Sequence, residues 1–166
     1  MRTAAILGLG SVCVLCALFL LVWRLSRLEI NYEAVDLERM GGGGDEWCER
    51  CARTRVVYIV GALIFSNTQR IEEIPANIPA DCDRVLFSMR GVPYIDVSCA
   101  QALTETLKKL RARGVQIVLC GLSAETMKTA ERSGIAALLG PEGFGWSVDR
   151  ALKENGLGDA KPCAEQ

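Results

Sequence analysis

The first apolar pattern along the chain is unbroken. From Ala4 to Trp23 it reads AAILGLGSVCVLCALFLLVW, twenty residues without a charge, closed by Arg2 and Arg24. As a helix rising about 1.5 Å per residue this run is about 30 Å long, the thickness of a bilayer's hydrocarbon core, so it predicts one transmembrane helix over residues 1–24. A secretory signal peptide fits less well: its apolar region spans roughly 7 to 15 residues and ends in a small-x-small cleavage site. This run ends instead in LVWRLSRLE. Trp23 beside Arg24 suits an anchor at headgroup level, and Arg24, Arg27 and Arg39 outnumber Arg2, which places the rest of a single-pass chain in the cytoplasm. Gly8, Gly10, Ser11 and Ala17 are small enough for a second helix to approach, without GxxxG spacing.

Residues 25–54 are mixed and charged, and Gly41 to Gly44 have no side chains to bury, which reads as a flexible linker. Beyond Arg55 the pattern changes to short apolar runs, Val56–Val60, Val85–Phe87 and Val115–Leu119, as in strands covered on both faces. Helical spacing fills the intervals. Ser98 to Arg113 sets Leu103, Leu107 and Leu110 on one stripe and stops at Gly114. Ser123 to Arg132 opens on a capping serine, with Leu122 and Met127 as a hydrophobic staple, and stops at Gly134; Ser147 to Asn155 repeats the scheme and stops at Gly156. Asn67 to Ile74 is a shorter helix ended by Pro75. Strands joined through helices cannot form hairpins and run parallel, so residues 55–156 predict one α/β domain with a helix-covered, mostly parallel sheet. Residues 157–166 read as a disordered tail.

Composition narrows the chemistry. Among 166 residues, Lys and Arg number 19 against 20 Asp and Glu, a net charge of -1, so no basic excess exists to bind nucleic acid. The absence of histidine removes the commonest general base, the Ser-His and Cys-His pairs and every His-ligated metal site. The eight cysteines are spread through apolar runs and read as mostly reduced thiols. Trp47-Cys48-Glu49-Arg50-Cys51 forms a WCxxC, but it follows a glycine tether and leads into a strand, unlike a redox motif, and has no second pair to complete a zinc site. Cys48 and Cys51 therefore stand as the sole metal or disulfide candidates, the zinc version requiring two chains. Asp81, Asp83 and Asp96 are separate acidic residues suited to turns and caps, so neither an enzyme nor a cofactor is expected.

Several stretches, in order, resemble the STAS domain, in the version found at the cytoplasmic end of SulP sulfate permeases. VVYIVGALIFSNTQRI (Val56 to Ile71) resembles its opening strand and turn, and RVLFSMRGVPYIDVSCAQAL (Arg84 to Leu103) its second core strand and Asp-x-Ser loop. RGVQIVLCGLSAETMKTAERSGI (Arg113 to Ile135) is similar to the family's next strand, loop and helix, and WSVDRAL (Trp146 to Leu152) to its closing helix. The resemblance implies an anti-sigma factor antagonist-like fold and a regulatory, protein-binding role. Its implied partners are a transporter membrane core or another STAS-binding protein, membrane lipid and a second copy of the chain. A transporter core needs many helices around a midplane site, so one helix cannot move an anion by itself. The rival implication is a stand-alone anti-sigma factor antagonist switched by phosphorylation.

Asp96, Val97, Ser98 and Cys99 form the candidate loop, placed where a helix begins and its N–H groups and dipole favour negative charge. In one reading Ser98 is the N-cap and Gln101, three residues on, completes a capping box. In the other the loop is a contact or switch, since phosphate on a hydroxyl there adds roughly two negative charges. The family's antagonists carry their phosphoserine directly after the aspartate, where this chain has Val97, so Ser98 is the hydroxyl left as phosphoacceptor. No GxxxxGK[ST] phosphate loop is present.

Overall fold

The computed structural model describes residues 13–21, 27–35 and 53–152. Residues 13–21 are helical and exposed. The remainder of the expected span, Gly41 to Gly44, Cys48 and Cys51, and residues 157–166 lie outside the described residues. Among the described residues no helix is long and apolar enough to cross a membrane.

Five strands form one sheet in sequence order: β1 (Glu29–Ala34), β2 (Thr54–Val60), β3 (Arg84–Gly91), β4 (Gln116–Cys120) and β5 (Phe144–Gly145). Strands β2 to β5 are parallel, with Val57 beside Phe87 and Phe87 beside Leu119. The side chains divide by alternation, because successive residues of a strand point to opposite faces. Val57, Ile59, Val85, Phe87, Met89, Ile117 and Leu119 face the larger core, whereas Val56, Leu86, Val118 and Cys120 face the smaller. Over the larger face lie α1 (Thr68–Glu72), α2 (Ile74–Asn77), α3 (Val97–Ala112), α4 (Ala124–Arg132) and α5 (Ile135–Leu139), which contribute Ile71, Ile74, Leu103, Leu107, Ala130 and Ile135. The smaller face is met by Ala151 and Leu152 of α6 (Val148–Leu152). Phe87 and Leu107 are completely buried, and each such side chain contributes about 1.5–3 kcal/mol over an exposed one.

The helix ends obey local chemistry. Helix α3 stops in a Schellman turn: Gly114, at φ +81°, donates to the Arg111 carbonyl and Val115 to that of Leu110. The Ser123 hydroxyl caps α4 by accepting from the Thr126 amide at 3.2 Å. Arg113 donates to the carbonyls of Pro75, Ile78 and Pro79, and Thr106 to that of Ile71, so α3 carries α1 and α2 with it.

Four features correct the sequence expectation. The sheet is mixed, because β1 pairs antiparallel with β2 from within the range read as linker, Ile30 lying beside Ile59 and Tyr32 beside Val57. Its EINYEA alternates apolar and polar as a strand should, and the exposed charges Glu29 and Glu33 suit an edge. The two-residue β5 is too short to leave a periodic signal. Pro75 does not end a helix; it sits in the first turn of α2, where its missing N–H would have had no partner. The fourth, the cap of α3, belongs to the candidate site.

The chain enters β1 through a tight contact. Gly61 lies at φ +118°, and a Cβ there would come 2.8 Å from the Arg27 carbonyl oxygen and 3.3 Å from the Leu28 Cα. Leu28 is buried in the larger core, and the Arg70 guanidinium donates to its carbonyl. Gly114 has the same kind of φ but open space around it. Gly61→Ala is therefore expected to cost about 1–3 kcal/mol more than Gly114→Ala, since it adds a backbone clash to the shared strain. Thermal unfolding of the two variants checks the order; equal losses would show that Leu28 is not held against the sheet.

Candidate functional site

The candidate loop sits at the carboxyl end of the sheet, where β3 leads into α3. Asp96 has extended backbone angles, φ -82° and ψ 170°, and is itself the N-cap of α3. One carboxylate oxygen, Oδ1, accepts from the Cys99 amide at 2.7 Å, so the cap belongs to Asp96 and not to Ser98. Ser98 occupies the second helical position and is exposed. The capping box with Gln101 does not form, since a side chain already inside the helix cannot receive the orphan amides ahead of it.

The other carboxylate oxygen, Oδ2, reaches across to the loop after β2 and accepts from the Phe65 amide at 2.6 Å. Main-chain bonds run beside it: the Leu63 amide donates to the Tyr94 carbonyl at 3.0 Å and the Asp96 amide to the Leu63 carbonyl at 2.8 Å. The buried Cys99 thiol donates to the Ile64 carbonyl at 3.1 Å, and Asn67 Nδ2 to that of Ala62 at 3.1 Å. Two loops separated by 31 residues are thus joined into one platform by the Asp96 carboxylate together with the Leu63–Tyr94, Asp96–Leu63 and Cys99–Ile64 bonds. Both carboxylate oxygens accept from backbone amides, and a carboxylate so held acts as a scaffold for the two loops.

Around it stand exposed apolar side chains. Val97 is 74 % exposed, Phe65 72 % and Tyr94 48 %, with the Ser98 hydroxyl next to Val97. Such a cluster on a fixed loop pair is suited to docking a partner, because the backbone beneath it is already ordered. Of the four residues the sequence singled out, Asp96 is the cap, Val97 and Ser98 are exposed and Cys99 is buried. Sequence reasoning missed the contact of Asp96 with Phe65, for which a lone sequence carries no local signal.

Cys99 does not belong to the exposed chemistry. Burial, with the Asp96 charge adding to it, raises its thiol to about 11, and burial alone raises Cys120 to about 11. A thiolate is the reactive form, so both are inert at neutral pH.

The matches to known proteins agree with this geometry. The STAS domain model matches residues 49–151. The chain belongs to the STAS domain family. It is 34% identical over 76 residues to a "Probable sulfate transporter 4.2" of Arabidopsis thaliana, a stretch that is 44% of this chain and 11% of that protein. The chain thus spans about a tenth of the length of that curated relative. Among solved structures it resembles a sulfate transporter family protein from Wolinella succinogenes, at 26% identity and a TM-score of 0.58, covering 64% of this chain and 88% of that one. An anti-sigma factor antagonist from Mycobacterium paratuberculosis shares the fold, at 15% identity and a TM-score of 0.54, covering 78% of this chain and 94% of that one. The protein is therefore a STAS domain related to those of SulP transporters, its mostly parallel sheet made mixed by the antiparallel edge strand β1.

Asp96→Ala should cost about 1–3 kcal/mol, removing a helix cap and a charge-assisted bond together. Hydrogen exchange should then quicken at the Phe65 and Cys99 amides alike; quickening at Cys99 alone would mean that the carboxylate does not hold the second loop. Maleimide labelling at pH 8, read by mass spectrometry, should leave Cys99 and Cys120 unmodified until the domain opens. Because folding raises these thiol pKa values, their neutral forms favour the native state below about pH 9, and that stability is lost as pH rises toward about 11.

Proposed function

We propose that this protein is a membrane-tethered, non-catalytic STAS module that regulates an anion transporter of the SulP type by docking through the platform around Asp96. The observation that carries the proposal is the pairing of an ordered carboxylate scaffold with the exposed Phe65, Tyr94 and Val97. Relatedness to sulfate transporter proteins supports the transporter side of the reading. The mechanism is differential contact: the module binds one state of the transporter's membrane core more tightly than another and moves the population toward it. Neither loop moves a bond. The apolar run from Ala4 to Trp23 is the tether, with the domain on the cytoplasmic side and the anion path supplied by a separate membrane core, in a complex that also accommodates lipid and a second copy of the chain.

A second reading rests on a specific feature, the exposed Ser98 hydroxyl in the first turn of α3 beside the apolar cluster. There a phosphate would meet the helix dipole favourably and the Asp96 carboxylate unfavourably, and it would place charge where a partner docks. This is the anti-sigma factor antagonist type of switch.

The readings part in two measurements. Membranes from cells expressing the full chain, washed in alkaline carbonate, should retain it until detergent is added; release into the aqueous fraction would sink the tether. Mass spectrometry should find Ser98 unphosphorylated, with Ser98→Ala and wild type indistinguishable in partner binding. Stoichiometric phosphate on Ser98 that abolishes binding of a kinase-like partner would favour the switch instead.

A further inference from the structure

Because β2 to β5 are parallel and β1 is antiparallel, the carboxyl ends of four strands and the entry to β1 fall at the same end of the sheet. Glu29, the first residue of β1, lies beside Val60, the last of β2. Large apolar side chains collect there. Among the described residues outside 13–21, the exposed ones are Tyr32, Val60, Phe65, Tyr94, Val97 and Trp146, and all but Tyr32 belong to this end. The opposite end is polar, with Arg53 paired to Asp83 at 3.1 Å and Arg84 bonded to Gln116 at 2.9 Å.

The apolar end is also where the N-terminal segment arrives, and it arrives firmly fixed. Leu28 is buried, its carbonyl accepts from Arg70, and the Arg27 carbonyl lies against Gly61. Leu28 lies seven positions after Leu21, the last described residue of the exposed apolar helix, an interval that spans at most about 25 Å. Arg27 and Arg90 are exposed at the same end, with Glu29 near them, while the Asp96 charge is already engaged by two amides.

We propose that this end of the sheet, carrying Val60, Phe65, Tyr94, Val97 and Trp146, rests on the surface of the lipid bilayer that holds the tether. This deepens the tethered reading above and depends on it. An apolar helix seated in the bilayer keeps this end within about 25 Å of Leu21, so the exposed apolar side chains are held within reach of the headgroups. Aromatic rings with an apolar body and a polar tip settle at that depth, and arginines beside them meet anionic lipid. The docking platform of the reading above lies on this face, so lipid holds it while the transporter core is absent; a second copy of the chain is the alternative occupant.

The test uses the full chain in phosphatidylcholine–phosphatidylserine vesicles at low protein-to-lipid ratio, with Trp23, Trp47 and Trp146 replaced by Phe. A single tryptophan is then placed at the apolar end (Tyr94→Trp, or independently Val97→Trp) or at the polar end (Asp81→Trp), folding being checked by circular dichroism. Lipids brominated near the headgroup should quench the first two at least about twofold more than the third. Comparable quenching at both ends in chain that floats with the vesicles would overturn the proposal and leave the tether standing. Emission at residue 94 that depends on protein concentration and ignores brominated lipid would assign the face to a second copy. Chain that fails to float would overturn tether and proposal together.

Discussion

The Asp96 residue, through its carboxylate and its own amide, fastens the two loops at the carboxyl end of the sheet to each other. One oxygen caps the longest helix of the described residues and the other fastens the loop after the neighbouring strand. A charged acceptor shared by two amides is stronger than two neutral bonds and fixes two segments with one side chain. Exposed apolar side chains are thereby carried on ordered backbone, so a partner meets a surface whose conformational cost was met in folding.

The rest of the molecule supports that arrangement. Alternation along β2, β3 and β4 splits the sheet into a deep face under α1 to α5 and a shallower one under α6. Arg113 and Thr106 tie α1 and α2 to α3, and Arg70 ties the incoming chain to α1. A force on the N-terminal segment therefore reaches the elements flanking the Asp96 loop through direct bonds.

Much of this was legible in the sequence because it is local. The apolar runs of β2 to β4, the Leu103–Leu107–Leu110 stripe, the Gly114 stop and the Ser123 cap are decided by neighbours a few residues apart, and each appears where its pattern lay. The Asp96 loop was legible through likeness to a family. What escaped depends on distance or on a weak pattern. Strand β1 alternates correctly but is short and charged, and only its pairing with β2 makes it a strand. The Phe65 contact joins residues 31 apart, and no spacing rule spans that interval. Ser98 lost the cap to Asp96 because both are good N-cap residues two positions apart, and the bond to Phe65 holds Asp96 in place.

The central claim, one carboxylate holding two loops, is open to direct observation. Trans-hydrogen-bond scalar coupling, measured by NMR on the isotope-labelled chain in micelles, links an amide nitrogen to the carbon of the group that accepts from it. The account predicts couplings from both the Phe65 and the Cys99 amides to the Asp96 carboxyl carbon. Coupling from Cys99 without Phe65 would leave Asp96 an ordinary helix cap and contradict its part in holding the second loop.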